Sequence, residues 1–283
     1  DFDGIESAAR AFLERADSPA PPDQGFLAVA GPVTGDTISL TNHAWRFSIG
    51  DLSRALGMER LVVVNDFTAV ALSLPYLAPD GLRRIGAGSP VPEAPMAMIG
   101  PGTGLGVSAL IPAAGSWIPI AGEGGHRDFA AHTEDELALL HYLRARHDHV
   151  SLERVLSGDG LLACFLALGG SDDPAPGPAS IGAGAAAGDP IATAAVDLFS
   201  EVLGAAAGDL ALTLGARGGA FIAGGIVPKL GAAFDAGRFR RRFEAKGRFS
   251  DYLAEIPTHL ITAEAPALVG LAHHSAPLED RRR

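Results

Sequence analysis

Cysteine is almost absent from this chain: Cys164 is the only one in 283 residues. A single thiol excludes an intrachain disulfide and any multi-cysteine zinc site. Positive charge is scarce as well, with 22 Lys and Arg against 33 Asp and Glu, a net charge of −11. That balance argues against a nucleic-acid backbone or a polybasic membrane surface as partner. No apolar run reaches the roughly 18–20 residues needed to cross a bilayer, and no secretory signal opens the chain. The expectation is a soluble, cytoplasmic protein with neither a membrane nor a nucleic-acid partner. Charged residues make up 19% and hydrophobic ones 47%, which excludes global disorder and supplies a substantial core. The length is comfortable for two modest lobes and long for one compact domain.

What is plentiful is turn-forming residues: 36 Gly and 20 Pro mark tight turns and places where backbone must approach something closely. Between them the apolar pattern alternates in kind. Ile5, Ala8, Ala9, Phe12 and Leu13 have helical spacing within residues 1–16. Residues 26–30 and 37–40 read as two strands around the turn 31–36, a hairpin. Ser48 followed by Asp51 predicts a helix start, with the helix running through Leu56. Leu61–Val64 is continuously apolar, the pattern of a strand covered on both faces, and a helix follows it towards Pro75. Residues 96–100 and 107–111 form a second apolar pair around a glycine loop. Thr133 with Glu136 predicts a capped helix through about Arg146, and Ser151 caps the next. A long helix is expected over Pro190–Leu214, a strand over 220–223, a late strand near 259–262 and a final helix from Pro266. Strands alternating with helices, with hairpins among them, read as α/β with mixed sheets. The expected division is a small α/β lobe over residues 1–76, completed by a C-terminal helix over 267–283, and a large α/β lobe over 77–266.

Five places carry residue types suited to chemistry. Asn65-Asp66 ends a strand, and a carboxylate there either faces the crevice where α/β proteins place ligands or caps the following helix. Gly100–Gly106 can aim backbone N–H groups and the Thr103 hydroxyl at a phosphate, or can simply be a hairpin turn. It lacks the Lys-Ser/Thr pair of a Walker loop. In Gly122-Glu123-Gly124-Gly125-His126, three glycines surround one carboxylate and one imidazole, a pair suited to a polyhydroxyl ligand, although a solvated turn reads the same way. Glu153 is either a ligand or a first-turn acid favoured by the helix dipole. Gly224-Gly225, just past a strand, leaves room for a flat base or makes a plain turn. The glycine pattern at 182–188 follows a Pro-rich stretch rather than a strand, so it is not a dinucleotide loop. His147-Asp148-His149 reads as a solvated loop, because adjacent residues do not converge on one metal. Arg281–Arg283 reads as a frayed tail.

In order along the chain, Thr41-Asn42-His43, Asn65-Asp66-Phe67-Thr68-Ala69, Gly102-Thr103-Gly104-Leu105-Gly106, Gly122–His126, Glu153–Gly158 and Phe221–Gly225 resemble the motifs of bacterial glucokinases. These are ATP-dependent hexose kinases of the actin/hexokinase/sugar-kinase superfamily. Each motif is short; their order over residues 26–270 carries the resemblance. It implies a two-lobed, actin-like (ribonuclease-H-like) sugar-kinase fold, with sugar bound in a cleft between the lobes and nucleotide on the larger one. The implied reaction is transfer of the ATP γ-phosphate to the glucose 6-hydroxyl, the first step of glycolysis. By the same resemblance Asp66 is the catalytic base. Thr41, Asn42, Asn65, Glu123, His126 and Glu153 bind the sugar; Gly102, Thr103 and Gly104 wrap the phosphates, and Gly224-Gly225 face adenosine. ATP with Mg²⁺ is the implied cofactor, no protein-held metal is expected, and a homodimer is the implied assembly.

The chain departs from the pattern in lacking the family's opening Asp-x-Gly-Gly-Thr phosphate loop, so a fragment with weak hexose binding and very poor transfer is expected. Two alternatives share the fold. A repressor/kinase-family enzyme acting on another hexose usually carries a cysteine-rich zinc loop, and no cysteine lies between His126 and Cys164. A sugar-sensing regulator needs a basic DNA-binding helix-turn-helix, which is not visible in a chain this acidic.

Overall fold

A computed structural model of the chain describes residues 2–16, 22–40, 43–172 and 176–274. Two units divide it: Asp1–Leu77 with Ala265–Arg283, and Ala78–Glu264.

The smaller unit begins with α1 (Ile5–Arg15), whose apolar positions have the helical spacing noted above. It continues through β1 (Gln24–Val29), β2 (Thr37–Ser39), β3 (Arg46–Ser48), α2 (Ile49–Ala55), β4 (Arg60–Asn65) and α3 (Asp66–Ser73). The hairpin expected between residues 26–30 and 37–40 does not form. Instead β1 lies parallel to β4, with Gln24 opposite Arg60 and Val29 opposite Asn65, while β2 pairs antiparallel with β3. Parallel strands need a long crossover, and β2, β3 and α2 are that crossover. The pairing is stabilised by a small core of Val29, Ile38 and Val63. Within the apolar run of β4 only Val63 is fully buried, so the strand is less covered than its composition suggests. Ser48 caps α2, its hydroxyl accepting from the Asp51 N–H at 3.0 Å. A last helix, Pro266–His274, crosses α3 closely: a Cβ at Gly270 would press into the Ala69 carbonyl oxygen. Residues 275–283, expected to prolong this helix, lie outside the described residues.

The larger unit holds β5 (Leu82–Arg84), β6 (Met96–Pro101), β7 (Leu105–Ala113), β8 (Ser116–Gly122), α4 (Glu134–Arg144), α5 (Gly158–Ala167), α6 (Pro178–Ala186), α7 (Pro190–Leu214), β9 (Gly219–Ile222), α8 (Ile226–Leu230), α9 (Ala236–Glu244), α10 (Ser250–Ala254) and β10 (Thr258–Ile261). Its sheet runs β5-β10-β9-β6-β7-β8. The three central strands β10, β9 and β6 are parallel, and β5, β7 and β8 are antiparallel to their neighbours. The mixed sheet is as expected. All six residues of β6 are buried, so its carboxyl end, beside that of β9, is a rigid place from which to hang loops.

Helix α7 corrects one exclusion. Its 25 residues include a window of mean hydropathy 1.4, so by length and composition it could cross a membrane. Of that window 67% is buried inside the protein, among residues of α5 and α9 such as Leu161, Phe239 and Phe243. The three acids of α7, Asp197, Glu201 and Asp209, pair with Arg238 and Lys246, so the apolar remainder packs as a core helix. Asp189 caps its start, and Gly215, in the left-handed region at φ 60°, ends it.

Candidate active site

Asn65 closes β4 and Asp66 opens α3. The cap is Asn65: its Oδ1 accepts from the N–H groups of Phe67 at 2.9 Å and Thr68 at 3.1 Å. Its Nδ2 donates to the Gly31 carbonyl at 3.2 Å, which ties the end of β4 to the end of β1. Among the described residues the second amide hydrogen of Asn65 has no partner. Asp66 is thereby relieved of capping. Its side chain is exposed, and Oδ1 shares the Phe67 N–H at 2.8 Å. A capped strand–helix junction thus fixes the backbone under a carboxylate that faces solvent. Thr41 and Asn42 lie outside the described residues.

The glycine loop is a hairpin turn, with Gly100 opposite Gly106 and Pro101 opposite Leu105. The Gly102 N–H donates to the Gly104 carbonyl at 2.8 Å, and the Gly158 N–H donates to the Gly102 carbonyl at 3.1 Å. Thr103 sits at the tip. Gly224 lies directly against this hairpin. It has φ +80°, and a Cβ there would press into the Pro101 carbonyl oxygen, 2.9 Å from the carbonyl carbon. The parallel pairing of β6 with β9 sets that approach, since Ile99 opposite Ile222 brings Gly224, just past the end of β9, against the last two residues of β6, Gly100 and Pro101. Gly102–Gly104 and Gly224-Gly225, more than a hundred residues apart in sequence, therefore adjoin at the carboxyl edge of the sheet. Ligands of α/β proteins bind at such an edge.

Glu153 meets the hairpin from the other side. Its Oε2 accepts the Leu105 N–H at 2.9 Å, and a Cβ at Gly104 would stand 2.5 Å from that oxygen. Glycine at 104 is what lets the carboxylate in. Ser151 caps the short helical turn that bears Glu153, and Ser157 caps α5 by accepting from the Gly160 N–H at 3.1 Å. The 122–126 loop packs on β7 through its glycines. Gly125 would clash with the Leu105 carbonyl oxygen, and Gly124 with Val107 at 2.9 Å, if either carried a Cβ. After the loop, Phe129 donates to Val150 and Leu152 donates to Arg127, at 2.9 Å each. That bridge sets His126 beside Glu153.

His126 and Glu153 share a cavity of about 350 Å³. Its other walls are Arg146, His147, Asp148 and His149 from the loop after α4, with Ser151 and Arg154. The wall is almost wholly polar, with donors and acceptors of both charges. His149 is fixed by Asp128, Nε2 to Oδ1 at 2.8 Å. His147–His149 lie in a loop with Asp148 and His149 exposed, as the sequence predicts; the pairing of residues 127–129 with 150–152 also brings them to this cavity, a long-range effect that local spacing does not encode. Glu123 is exposed at the start of the 124–126 turn and is not among the cavity's walls.

The glucokinase family model matches residues 1–277. The glucokinase of Chromobacterium violaceum is 51% identical over 254 residues, covering 88% of this chain and 73% of its own length. That of Paramagnetospirillum magneticum is 50% identical over 277 residues, covering 96% and 86%. Among solved structures, a glucokinase from an Antarctic psychrotroph superposes with a TM-score of 0.87 at 37% identity, covering 97% of this chain and 87% of that one. With that likeness the fold is the actin-like one of sugar kinases. A hairpin of glycines braced by a carboxylate, a polar cavity beside it and likeness over nearly the whole length agree: the chain belongs to the glucokinase family.

Proposed function

We propose that the chain transfers the γ-phosphate of ATP to the 6-hydroxyl of glucose, with roles divided as follows. Asp66 accepts the proton of the 6-hydroxyl as the nucleophile forms. Its exposed carboxylate on a fixed helix start suits that task, because a general base must be rigidly placed yet reachable. Asn65 holds that junction and offers its remaining amide hydrogen to the sugar. Glu123, His126 and Glu153 hold other hydroxyls, carboxylates accepting and imidazole doing either; Thr41 and Asn42 belong to the same group. Gly102, Thr103 and Gly104 wrap the phosphates: the Gly102 N–H closes the turn on the Gly104 carbonyl, and Thr103 and Gly104 present backbone and hydroxyl donors. Gly224-Gly225 leave a surface free of side chains for adenosine.

Phosphoryl transfer needs little covalent help from protein; positioning and charge neutralisation do most of it. Mg²⁺ enters as part of the nucleotide substrate. Among the described residues no group of three or more His, Cys, Asp or Glu is placed to hold a metal of its own. The reading carries with it a homodimer in the cytoplasm.

The observation that supports it best is the meeting of the Gly102–Gly104 hairpin with Gly224 on one side and Glu153 on the other. The test is ATP-dependent formation of glucose 6-phosphate, assayed with glucose and with each monodeoxyglucose. A pocket built to pair a hydroxyl rejects the analogue lacking it by about 10⁴–10⁵-fold. Deoxy-sugars reacting as well as glucose at every position would refute the sugar-binding roles given to these acids.

A further inference from the structure

Among the described residues Glu153 is the one that both lines the cavity and bonds the glycine hairpin. It lines the cavity shared with His126, while its Oε2 accepts the Leu105 N–H at the foot of the glycine hairpin. Among the described residues Oε1 has no hydrogen-bond partner. Two further contacts make the arrangement stiff. The next turn's Gly158 N–H donates to the Gly102 carbonyl, and the missing Cβ of Gly104 leaves no slack, since it would lie 2.5 Å from Oε2. The carboxylate therefore cannot rotate towards a ligand in the cavity without pulling on, or letting go of, the hairpin.

We infer that Glu153 is a positioning residue that couples the two substrates. A hydroxyl donated to Oε1 fixes the carboxylate plane, and the fixed Oε2 holds Leu105, hence Gly102–Gly104, in the conformation that receives phosphate. Sugar bound first then tightens nucleotide, and by linkage nucleotide tightens sugar by the same factor. This rests on the sugar and phosphate roles proposed above. It goes beyond them in giving one carboxylate a distinct duty on each oxygen.

The test is calorimetric titration of the wild-type chain with a non-hydrolysable ATP analogue and Mg²⁺, with and without saturating glucose. Coupling of this kind typically falls between about 5- and 150-fold, and an affinity at least about fivefold higher with glucose is expected. Two variants break the link differently. Gly104→Ala places a methyl against Oε2 and displaces the carboxylate while leaving it present. Glu153→Asp shortens the arm so that it cannot serve cavity and hairpin together. In both, glucose should still bind at raised concentration, while the with-to-without ratio for the nucleotide falls to within about twofold of unity. A merely structural Glu153 would weaken nucleotide equally with and without sugar, and the ratio would stay at the wild-type value. Glu153→Gln keeps an oxygen for the Leu105 N–H but puts an amide nitrogen, which cannot accept a hydroxyl, at the other position, so its ratio should fall as well. The inference is overturned if the wild-type ratio is unity, or if either Gly104→Ala or Glu153→Asp keeps the full ratio. Failure of glucose to bind the wild-type chain at all would instead remove the sugar-site reading, and the coupling with it.

Discussion

Replacing Asp66 by asparagine separates chemistry from architecture at this site. The folded state should hardly notice. Phe67 N–H keeps its bond to the Asn65 Oδ1 at 2.9 Å, and the new side chain retains an oxygen where Asp66 Oδ1 now accepts at 2.8 Å. What is lost structurally is one negative charge in the first turn of α3, which is about 0.3–1 kcal/mol of helix-dipole interaction at an exposed position. What is lost chemically is the proton acceptor. General-base removal typically slows a reaction by about 10²–10⁴-fold, which at 1.36 kcal/mol per tenfold is about 2.7–5.4 kcal/mol in the barrier. The chemical effect thus exceeds the structural one several times over, and the two are measured apart. Coupled assay of glucose 6-phosphate should show kcat reduced by at least about 10², while calorimetry shows glucose binding nearly unchanged and the melting temperature moves little. Turnover within about tenfold of wild type would take Asp66 out of the mechanism. Loss of glucose binding at full stability would make it a sugar ligand instead of a base.

Gly224→Ala tests the nucleotide side. A left-handed φ of +80° costs a non-glycine residue about 1–2 kcal/mol, and the methyl group against the Pro101 carbonyl adds about 1–3 kcal/mol of overpacking. Denaturant titration should show that loss, with KM for ATP rising far more than KM for glucose; an unchanged midpoint would refute the close approach. His259 supplies a pH dependence. Its Nδ1 is buried with no partner among the described residues, and burial first, then Arg84, hold the imidazole below its ordinary value of 6.5. The unfolded chain therefore binds this proton first, so the contribution is intact above pH 6.5 and is lost as pH falls below that towards the lower folded value. Melting curves from pH 8 to 5 should converge between wild type and His259→Gln on the acid side, and a constant gap would exclude His259 as the cause.

Much of this fold is legible in the order of residues, because local physics suffices for it. Thr133 and Glu136 form the capping box that their spacing predicts, each bonding the other's backbone. Helix α7 spans the predicted Pro190–Leu214, and the apolar runs around Gly100–Gly106 pair as a hairpin. Partners far along the chain are another matter. Nothing in residues 26–30 says that their neighbour is β4 and not 37–40. Strand β8 carries Pro119, which argues against a strand interior, yet β8 is an edge strand whose single partner is β7. Helix α9 hides in a run of arginines that reads as solvated surface. Arg240 is nonetheless buried, donating to the carbonyls of Leu253, Ala254 and Ile256, and Arg242 pairs with the buried Glu136 at 2.6 Å. At the site, residue types name the candidates, but whether Asp66 caps the helix or faces the crevice does not follow from its position; the hydrogen bonds give the cap to Asn65. The double engagement of Glu153 is likewise a tertiary fact, since Leu105 lies 48 residues away.

The glycines at 104, 125 and 224 have a bearing on how such a protein can diversify. At each of them even one added carbon meets a carboxylate oxygen or a main-chain carbonyl, so the surface they form has almost no permissible variants. The cavity wall His147-Asp148-His149 sits on a loop after α4 where Asp148 and His149 are exposed, so larger side chains there can extend into solvent. Inheritance of a new sugar preference would then proceed by changes confined to that wall, with the glycine surface proposed to face phosphate passed on untouched. A mutational library restricted to residues 146–149 should be rich in folded members of altered selectivity, and one restricted to 102–106 should be rich in dead ones.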